Sequence, residues 1–279
     1  MKKITGEKIK KYHKYLIQEE KSAATVEKYI RDVTAFVLWL GESIPCKEEV
    51  LKYKEYLLEN YAPASVNSVL SSLNSFFSFS GQHNLKVKTL KLQKRLFSVE
   101  DKELTKTEYE RLLTVAKNKG NEKLYLLMQT ICATGIRVSE LRYITVESLG
   151  LQKAQVNLKG KMRIIMLPDE LCRMLLKYAK EQKISSGSIF VSKSGKPLDR
   201  SNIWRLMKAL CESAKVPREK VFPHNLRHLF ARTFYSMQKD IIRLADILGH
   251  SSINTTRIYT METGKIHRRQ IQRLGLLRC

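Results

Sequence analysis

Residues 124–141 read LYLLMQTICATGIRVSEL, and this stretch decides the fold of the second half of the chain. The apolar run over residues 124–131 predicts a buried helix. Gly135 breaks the pattern, and residues 138–141 predict the start of a new helix. Ala133 to Arg137 therefore lies at a break between two helices.

The elements around this stretch are mostly helical. Upstream, Thr105 and Glu108 have the spacing of a capping box, which predicts a helix start. Downstream, residues 156–167 predict a β-hairpin with a tight turn at 159–161, and residues 189–191 predict a short strand. Three further helices are predicted over residues 201–214, 225–238 and 240–248.

The first region, residues 1–85, predicts a separate all-helical domain. Apolar residues recur every three or four positions over residues 22–40, and again from Pro63 to near Gly81. The polar face of the second of these helices is rich in Ser and Asn, groups that allow close approach to a phosphate or a base edge. Its candidate contacts to nucleic acid are Ser68, Ser72 and Ser75.

The chain between the two regions, residues 86–103, predicts a basic linker. Five basic residues and no acidic residue occur in its first part: Lys86, Lys88, Lys91, Lys94 and Arg95. It is either a solvated loop or a segment that follows a phosphate backbone. The fold class expected overall is mainly α with a small antiparallel β-sheet, the sheet lying in a second domain over residues 104–279.

Composition narrows the classes of partner. The 279 residues include 51 Lys and Arg against 27 Asp and Glu, a formal charge of +24. Residues 101–279 hold 34 of the basic and 16 of the acidic side chains, so most of the excess lies in the second region. This surplus indicates an anionic partner, with nucleic acid ahead of an anionic membrane surface. No uncharged apolar stretch of about 18 residues occurs, so no transmembrane helix is expected.

The cysteines indicate a reducing, cytoplasmic location. They are odd in number, far apart in sequence and form no CxxC pair: Cys46, Cys132, Cys172, Cys211 and Cys279. Neither a disulfide framework nor a structural metal site is therefore expected. The absence of clustered carboxylates also argues against two-metal nuclease chemistry, and no cofactor is expected.

Several side chains of the second region suit one phosphate group. Arg137 and Arg227 carry planar guanidinium groups that can hold its non-bridging oxygens. His224 and Arg227 are three residues apart and share a helix face. His250 follows a glycine at a predicted helix end, and Tyr259 lies nine residues later. A phenol is a weak nucleophile unless its proton is removed and its target is polarised, which such a set could do without a metal.

These residues resemble the motifs of the tyrosine recombinase/integrase family. The family pattern is A-T-G-x-R-x-S-E-L, a hairpin Lys, H-x-L-R-H, L-G-H, and a Tyr nine residues after that last His, and every part occurs here in order. The resemblance extends over essentially the whole chain, and the two-domain layout is similar to Xer-type or small mobile-element recombinases. It implies a site-specific DNA recombinase that works through a 3′-phosphotyrosyl intermediate, without metal or ATP, in integration, excision, inversion or dimer resolution.

The resemblance also implies a role for each matching residue. Arg137 and Arg227 would clamp the scissile phosphate. His224 would help to deprotonate the tyrosine or bond the phosphate, and His250 would bond a non-bridging oxygen. Tyr259 would be the nucleophile.

The hairpin lysine is less well defined. Lys159 would protonate the leaving 5′-oxygen, and Glu140 would be a structural partner of the first arginine. The family turn often reads G-K-G-x-K-x-R, whereas residues 158–163 read LKGKMR, one residue shorter and without the leading Gly. Lys161 is therefore an alternative to Lys159, with Lys159 favoured.

The partner implied by the resemblance is double-stranded DNA with paired inverted-repeat core sites. Further candidate DNA contacts are Lys161, Arg205 and four residues of the linker: Lys88, Lys91, Lys94 and Arg95. The chain would act as a homo-tetramer, or as a hetero-tetramer with a related recombinase. Its tail, residues 262–279, would dock into a neighbouring protomer, or alternatively pack on its own domain as a terminal helix.

Two other functions are compatible with these motifs. One is a catalytically reduced DNA-binding accessory protein, disfavoured because all six expected positions are chemically intact. The other is a type IB topoisomerase-like enzyme, disfavoured by the helical N-terminal domain and the exchange tail.

Overall fold

The structure is a computed structural model that describes residues 3–92, 102–158, 161–192, 194–260 and 272–274, with Leu158 and Lys161 described by their backbone. The chain divides into two compact units between Lys94 and Arg95. Both are built mainly from helices, and among the described residues one two-stranded sheet occurs, in the second unit. This confirms the predicted fold class.

The first unit is a helical domain with its own core. Its helices are α1 (Gly6–Gln18), α2 (Ala23–Leu40), α3 (Lys47–Asn60) and α4 (Pro63–Phe79), followed by a 3₁₀ turn at His83–Leu85. Ser22 caps α2 and Pro63 occupies the first turn of α4, as both residue types favour. The two helices predicted in this region are therefore confirmed. Buried aromatic rings, among them Tyr12, Phe36 and Phe76, fill the core.

Residues 86–92 form neither helix nor strand, yet their first part is held against α4. The side-chain amide of Asn74 donates to the carbonyl of Val87 at 2.8 Å and accepts from its N–H at 3.0 Å. Asn67 makes the same pair of bonds with Leu90, at 3.0 and 2.7 Å. Part of the Asn-rich face of α4 thus satisfies the backbone of the predicted linker. Lys94 and Arg95 lie outside the described residues.

The second unit contains nine helices, two strands and several 3₁₀ turns within its described residues. The first part holds α5 (Lys106–Asn118), α6 (Glu122–Thr134), a 3₁₀ helix (Val138–Tyr143), α7 (Val146–Gly150), β1 (Lys153–Leu158), β2 (Lys161–Met166) and α8 (Asp169–Glu181). The remainder holds α9 (Arg200–Lys208), α10 (Cys211–Ala214), a 3₁₀ turn (Arg218–Lys220), α11 (Pro223–Gln238), α12 (Ile241–Leu248), α13 (Ile253–Thr256) and a 3₁₀ turn (Arg257–Tyr259).

The strands form an antiparallel hairpin in which Lys153 pairs with Met166 and Leu158 pairs with Lys161. This confirms the predicted hairpin and leaves only residues 159 and 160 between the paired ends. Both of them, including Lys159, lie outside the described residues.

Two local predictions for this unit were wrong. Residues 189–191 do not form a strand, because the pairing there is limited to isolated bridges, Thr145–Ser188 and Val191–Pro197. The helix predicted over residues 201–214 is interrupted between α9 and α10. The helix start predicted at residues 138–141 is present, as a 3₁₀ helix over Val138–Tyr143.

The core of the second unit places two helix ends beside each other. Helices α6 and α11 pack together, and their buried residues include Leu127, Ile131 and Leu226. Helix α6 ends at Gly135 and α12 ends at Gly249, both in the left-handed conformation with φ of 62°. The predicted capping box is confirmed, since the side chains of Thr105 and Glu108 each accept the other's backbone N–H.

None of the described helices is both long and apolar enough to span a membrane.

Candidate active site

The site begins at the loop after α6, where Arg137 is fixed by Glu140. The Glu140 carboxylate is 2 % exposed and accepts the backbone N–H of Arg137 and its Nη1, both at 2.9 Å. Nη2 of Arg137 donates to the carbonyl of Gly249 at 3.1 Å. The side chain of Arg137 still keeps 37 % of its surface exposed. One arginine is therefore anchored to two loops while it remains accessible to a ligand.

Arg163 of β2 shares the same carboxylate. Its Nη2 donates to Oε2 of Glu140 at 2.6 Å, and its Nη1 donates to the carbonyl of Ile247 at 2.9 Å. Its side chain crosses Gly249, where an added Cβ would lie 2.5 Å from Cδ of Arg163. Glycine is thus required at residue 249 both by the positive φ and by the space. Arg163 ties the hairpin to the loop that carries His250.

Arg227 of α11 is almost fully buried, with 1 % of its surface exposed. It donates to the carbonyl of Gly135 and, at 2.8 Å, to that of Leu248, the residues at the ends of α6 and α12. Its Nη2 also lies 3.0 Å from Nε2 of His250. Because arginine can only donate, Nε2 of His250 accepts this bond.

The other nitrogen of His250 is equally constrained. Nδ1 lies 2.8 Å from the hydroxyl of Thr256, which is fully buried. With Nε2 accepting, Nδ1 carries the hydrogen and donates it to Thr256. Burial, followed by the nearby Arg227 and Arg137, lowers the pKa of His250 to about 4, so the ring is neutral at pH 7.

Tyr259 closes the site from the 3₁₀ turn after α13. Only 4 % of its surface is exposed, and it packs in a small cluster with Ala231, Leu244 and Leu248. Its ring stacks on His250 at a centroid distance of 6.2 Å and meets His228 edge-to-face at 5.0 Å. Burial raises the pKa of Tyr259, while the neighbouring Arg227 opposes that rise. The phenol is therefore protonated at neutral pH, and its proton has to be removed before it can attack.

His224 and His228 stand one turn apart at the start of α11, with ring centroids 4.5 Å apart. His224 is exposed, whereas His228 is partly buried. Desolvation, followed by the charge of Arg227, lowers the pKa of His224. Desolvation, then His224 and Arg227, lowers the pKa of His228 to about 4.

Three of these groups line an open cavity of about 510 Å³. Its walls include Arg137, Arg227 and His224, and its far side is formed by Arg200 and Trp204 of α9. Arg137 and Arg163 share the Glu140 carboxylate, Arg227 adds a third positive charge beside them, and the histidines are neutral, so the centre keeps an excess of positive charge. Burial and the charge of Arg137 lower the pKa of Arg227 to about 10, which leaves it protonated. Such a centre favours an anion that can accept hydrogen bonds from both guanidinium groups.

The structure brings together five of the six predicted catalytic residues: Arg137, His224, Arg227, His250 and Tyr259. The sixth, Lys159, lies outside the described residues, and Lys161 is described by its backbone alone. Within the described residues, no group of His, Cys, Asp and Glu is arranged to hold a metal ion.

The candidate DNA contacts differ in exposure. Lys88, Lys91 and Arg205 are exposed, and Ser68 is partly exposed. Ser75 bonds the Tyr12 hydroxyl at 2.9 Å. Ser72 is fully buried and donates to Asp32 at 2.7 Å, which argues against a direct DNA contact by this side chain.

Sequence reasoning did not identify Arg163, His228 and Thr256 as parts of the site. Arg163 is the last residue of the hairpin pattern, and His228 is the last residue of H-x-L-R-H. Both therefore belong to motifs, but the motifs assigned no function to them. Thr256 carries no motif signal, because its bond to His250 depends on how α13 folds back.

Comparison with known proteins gives a consistent result. The profile of the phage integrase family matches residues 102–265, and that of the phage integrase N-terminal SAM-like domain matches residues 9–83. Tyrosine recombinase XerA of Pyrococcus furiosus is 30 % identical over 99 % of this chain and 96 % of its own length.

Two solved structures share the fold. The XerH recombinase bound to its difH substrate has a TM-score of 0.71 at 20 % identity, over 96 % of this chain and 85 % of that one. A λ integrase dimer bound to a COC′ core site has a TM-score of 0.74 at 19 % identity, over 94 % and 96 % of the two chains.

Proposed function

Because the chain belongs to the phage integrase family of tyrosine recombinases and is a site-specific DNA recombinase, we propose that Tyr259 is its nucleophile. In this proposal, Arg137 and Arg227 hold the scissile phosphate in the cavity between them. His250 bonds a non-bridging oxygen of the phosphate, for which its Nε2 gives up the bond from Arg227 and carries a hydrogen. His224 receives the phenol proton or bonds the phosphate.

One observation carries this assignment. Arg137 and Arg163 converge on a single buried carboxylate, Arg227 lies beside them and bonds His250, and the neutral His250 ring stacks on the buried phenol of Tyr259. Phosphoryl transfer depends mainly on positioning and on stabilising charge on the equatorial oxygens. A fixed positive centre next to a hydroxyl nucleophile meets both requirements.

The cleavage step is a transesterification. The phenolic oxygen of Tyr259 attacks phosphorus as its proton leaves, and the bond from phosphorus to the 5′-oxygen breaks. Lys159, with Lys161 as the alternative, gives a proton to that oxygen. A 3′-phosphotyrosyl link and a free 5′-hydroxyl result. Attack by the 5′-hydroxyl of a partner strand then restores the phosphodiester and releases Tyr259, so no ATP is needed.

For assembly, we propose a tetramer on two DNA sites, each with inverted core repeats. Support comes from the similar fold of λ integrase, which is described as a dimer on a core site, and of XerH, described on its difH substrate. The first unit and the basic linker, residues 86–103, would hold the duplex while the second unit cuts it. The substrate then places the protein on DNA in the cytoplasm, associated with the nucleoid.

The nucleophile is tested with a suicide DNA duplex, nicked so that the cleaved strand loses a short fragment. The core site is first selected by the protein itself from a pool of random inverted repeats. Wild-type protein should accumulate a covalent protein–DNA complex, and Tyr259→Phe should form none while it binds DNA normally. Tyr235→Phe, which removes a hydroxyl from a partly buried ring on α11, is the matched control and should cleave like wild type.

The outcomes separate the competing functions. Covalent complex in Tyr259→Phe would remove Tyr259 as the nucleophile. Binding without any covalent complex in wild type indicates an accessory protein, and relaxation of plasmids that lack the site indicates a topoisomerase-like enzyme. Strand joining between two sites supports the recombinase.

Assembly is tested by deletion of residues 265–279. The truncated chain should bind a single site normally and fail to exchange strands between two sites. Intact recombination by this variant would contradict a role of the tail in joining protomers.

A further inference from the structure

His228 lies between two groups that the proposed mechanism uses. Its ring is 4.5 Å from that of His224 and 5.0 Å from that of Tyr259, measured between centroids. The planes of His228 and Tyr259 are perpendicular, at 89°, so the edge of one ring meets the face of the other. The proposed mechanism assigns nothing to this histidine.

The ring of His228 also carries a polar atom with no partner. Its Nε2 is buried and makes no hydrogen bond to any of the described residues. Buried nitrogen atoms are nearly always bonded, because an unmet donor or acceptor is destabilising. A phenylalanine at residue 228 could make the same edge-to-face contact, so ring packing does not explain why a ring with a buried nitrogen occurs here. A neutral ring leaves one of its two nitrogens able to accept a hydrogen bond.

We propose that His228 is a positioning residue for Tyr259, and that its Nε2 accepts a hydrogen bond from the phenol hydroxyl in the complex that precedes attack. The edge-to-face contact fixes the plane of the phenol, and the bond fixes the rotation of its hydroxyl. The free pair of electrons on the phenolic oxygen is thereby directed at phosphorus. This inference rests on the assignment of Tyr259 as the nucleophile.

The lowered pKa of His228 is consistent with that role. A protonated imidazole could not accept the phenol hydrogen, and burial beside Arg227 keeps the ring neutral. His250 is occupied by Arg227 and Thr256 and cannot take this bond in the same arrangement. His228 is thus the neutral imidazole next to the phenol that still has an acceptor to offer.

The test compares His228→Phe with His228→Gln in single-turnover cleavage of the suicide duplex, with protein in excess over DNA. His228→Phe keeps a ring of similar size and loses the nitrogen, so we expect cleavage to slow at least tenfold while DNA affinity stays within twofold. His228→Gln supplies an acceptor on a flexible side chain and should recover part of the rate. Tyr235→Phe on the same helix should match wild type.

A second substrate shows whether a variant impairs attack by the nucleophile or departure of the leaving group. Replacing the bridging 5′-oxygen by sulfur makes a leaving group that needs no proton. Lys159→Ala should be rescued on this DNA if Lys159 is the general acid, whereas His228→Phe should stay slow, because its defect lies with the nucleophile. Thermal melting of each variant checks that the fold is retained.

The outcomes are distinguishable from failure of the proposed function. Covalent complex in Tyr259→Phe would overturn the nucleophile assignment itself. With Tyr259→Phe inactive, wild-type cleavage by His228→Phe would overturn only the role of His228, and so would its rescue by sulfur. If His228→Phe does not fold, a wild-type rate in His228→Ala with reduced thermal stability would show that the role is structural.

Discussion

Removal of the Glu140 carboxylate should destabilise the second unit strongly. This carboxylate is 2 % exposed and bonds two arginines, Arg137 at 2.9 Å and Arg163 at 2.6 Å. Breaking a buried ion pair by deleting one partner costs about 3–5 kcal/mol, because the other charge stays buried. The exposed part of Arg137 can be hydrated, whereas the side chain of Arg163 is 13 % exposed and cannot. We therefore expect Glu140→Ala to lose about 3 kcal/mol, mostly through Arg163.

The chain offers a convenient assay for this loss. Its two tryptophans lie in different units, Trp39 in the first and Trp204 in the second. In a Trp39→Phe background, the fluorescence of Trp204 follows chemical unfolding of the second unit. Glu170→Ala is the control, since that carboxylate and its partner Arg173 are exposed and such pairs contribute about 0–1 kcal/mol.

A second variant checks the reason for the effect. If the unpaired charge of Arg163 causes the loss, then Glu140→Leu combined with Arg163→Met should be more stable than Glu140→Ala, because no buried charge is left alone. A loss below about 1 kcal/mol in Glu140→Ala would refute the reasoning, as would a double variant less stable than the single one.

Three other results are expected. Gly249→Ala should destabilise the second unit by about 2–4 kcal/mol and slow cleavage, because residue 249 has a positive φ and the new Cβ would clash with Arg163. Thermal melting measures the stability and suicide-substrate kinetics measure the cleavage rate. Wild-type stability in this variant would contradict the clash. Stability should fall as pH drops from 6.5 towards 4, because the pKa of His228 and of His250 is lowered to about 4 and the unfolded chain binds more protons in that window. The melting temperature of His228→Phe should therefore depend less on pH than that of wild type. An equal dependence of melting temperature on pH in the two proteins would contradict this. DNA affinity should fall about 10³- to 10⁵-fold between 50 and 200 mM salt, as it does for proteins that make about 6–10 phosphate contacts. Fluorescence anisotropy with labelled DNA measures this affinity. A fall of less than about tenfold would exclude that number of contacts.

Local sequence signals were sufficient for many elements. The capping box at Thr105 and the Pro at the start of α4 act within one helical turn, so they are read directly from the chain. The apolar run over residues 189–191 favours β structure and predicts a strand. A strand also needs a paired neighbour along its length, and the structure provides only isolated bridges there.

The residue types of the candidate site could be predicted from the sequence, but the contacts between those residues could be predicted only in part. Arg137, His224, Arg227, His250 and Tyr259 were all marked by motifs, and the structure places them together. The motifs did not indicate that Arg227 would be almost fully buried and bonded to the ends of two helices. Burial depends on how α6, α11 and α12 pack, and that packing joins residues nearly 100 positions apart.

The sequence by itself determined the helical character of both units, the hairpin, the positive charge of the second unit and the residue types that meet a phosphate. These follow from periodicity, turn chemistry and composition, which are properties of neighbouring residues. Only the tertiary structure decided that Glu140 joins two arginines, that His250 is held neutral between Arg227 and Thr256, and that His228 lies against the phenol of Tyr259. Those contacts link segments far apart in the chain, and the charge states within them depend on burial, which no local stretch of sequence specifies.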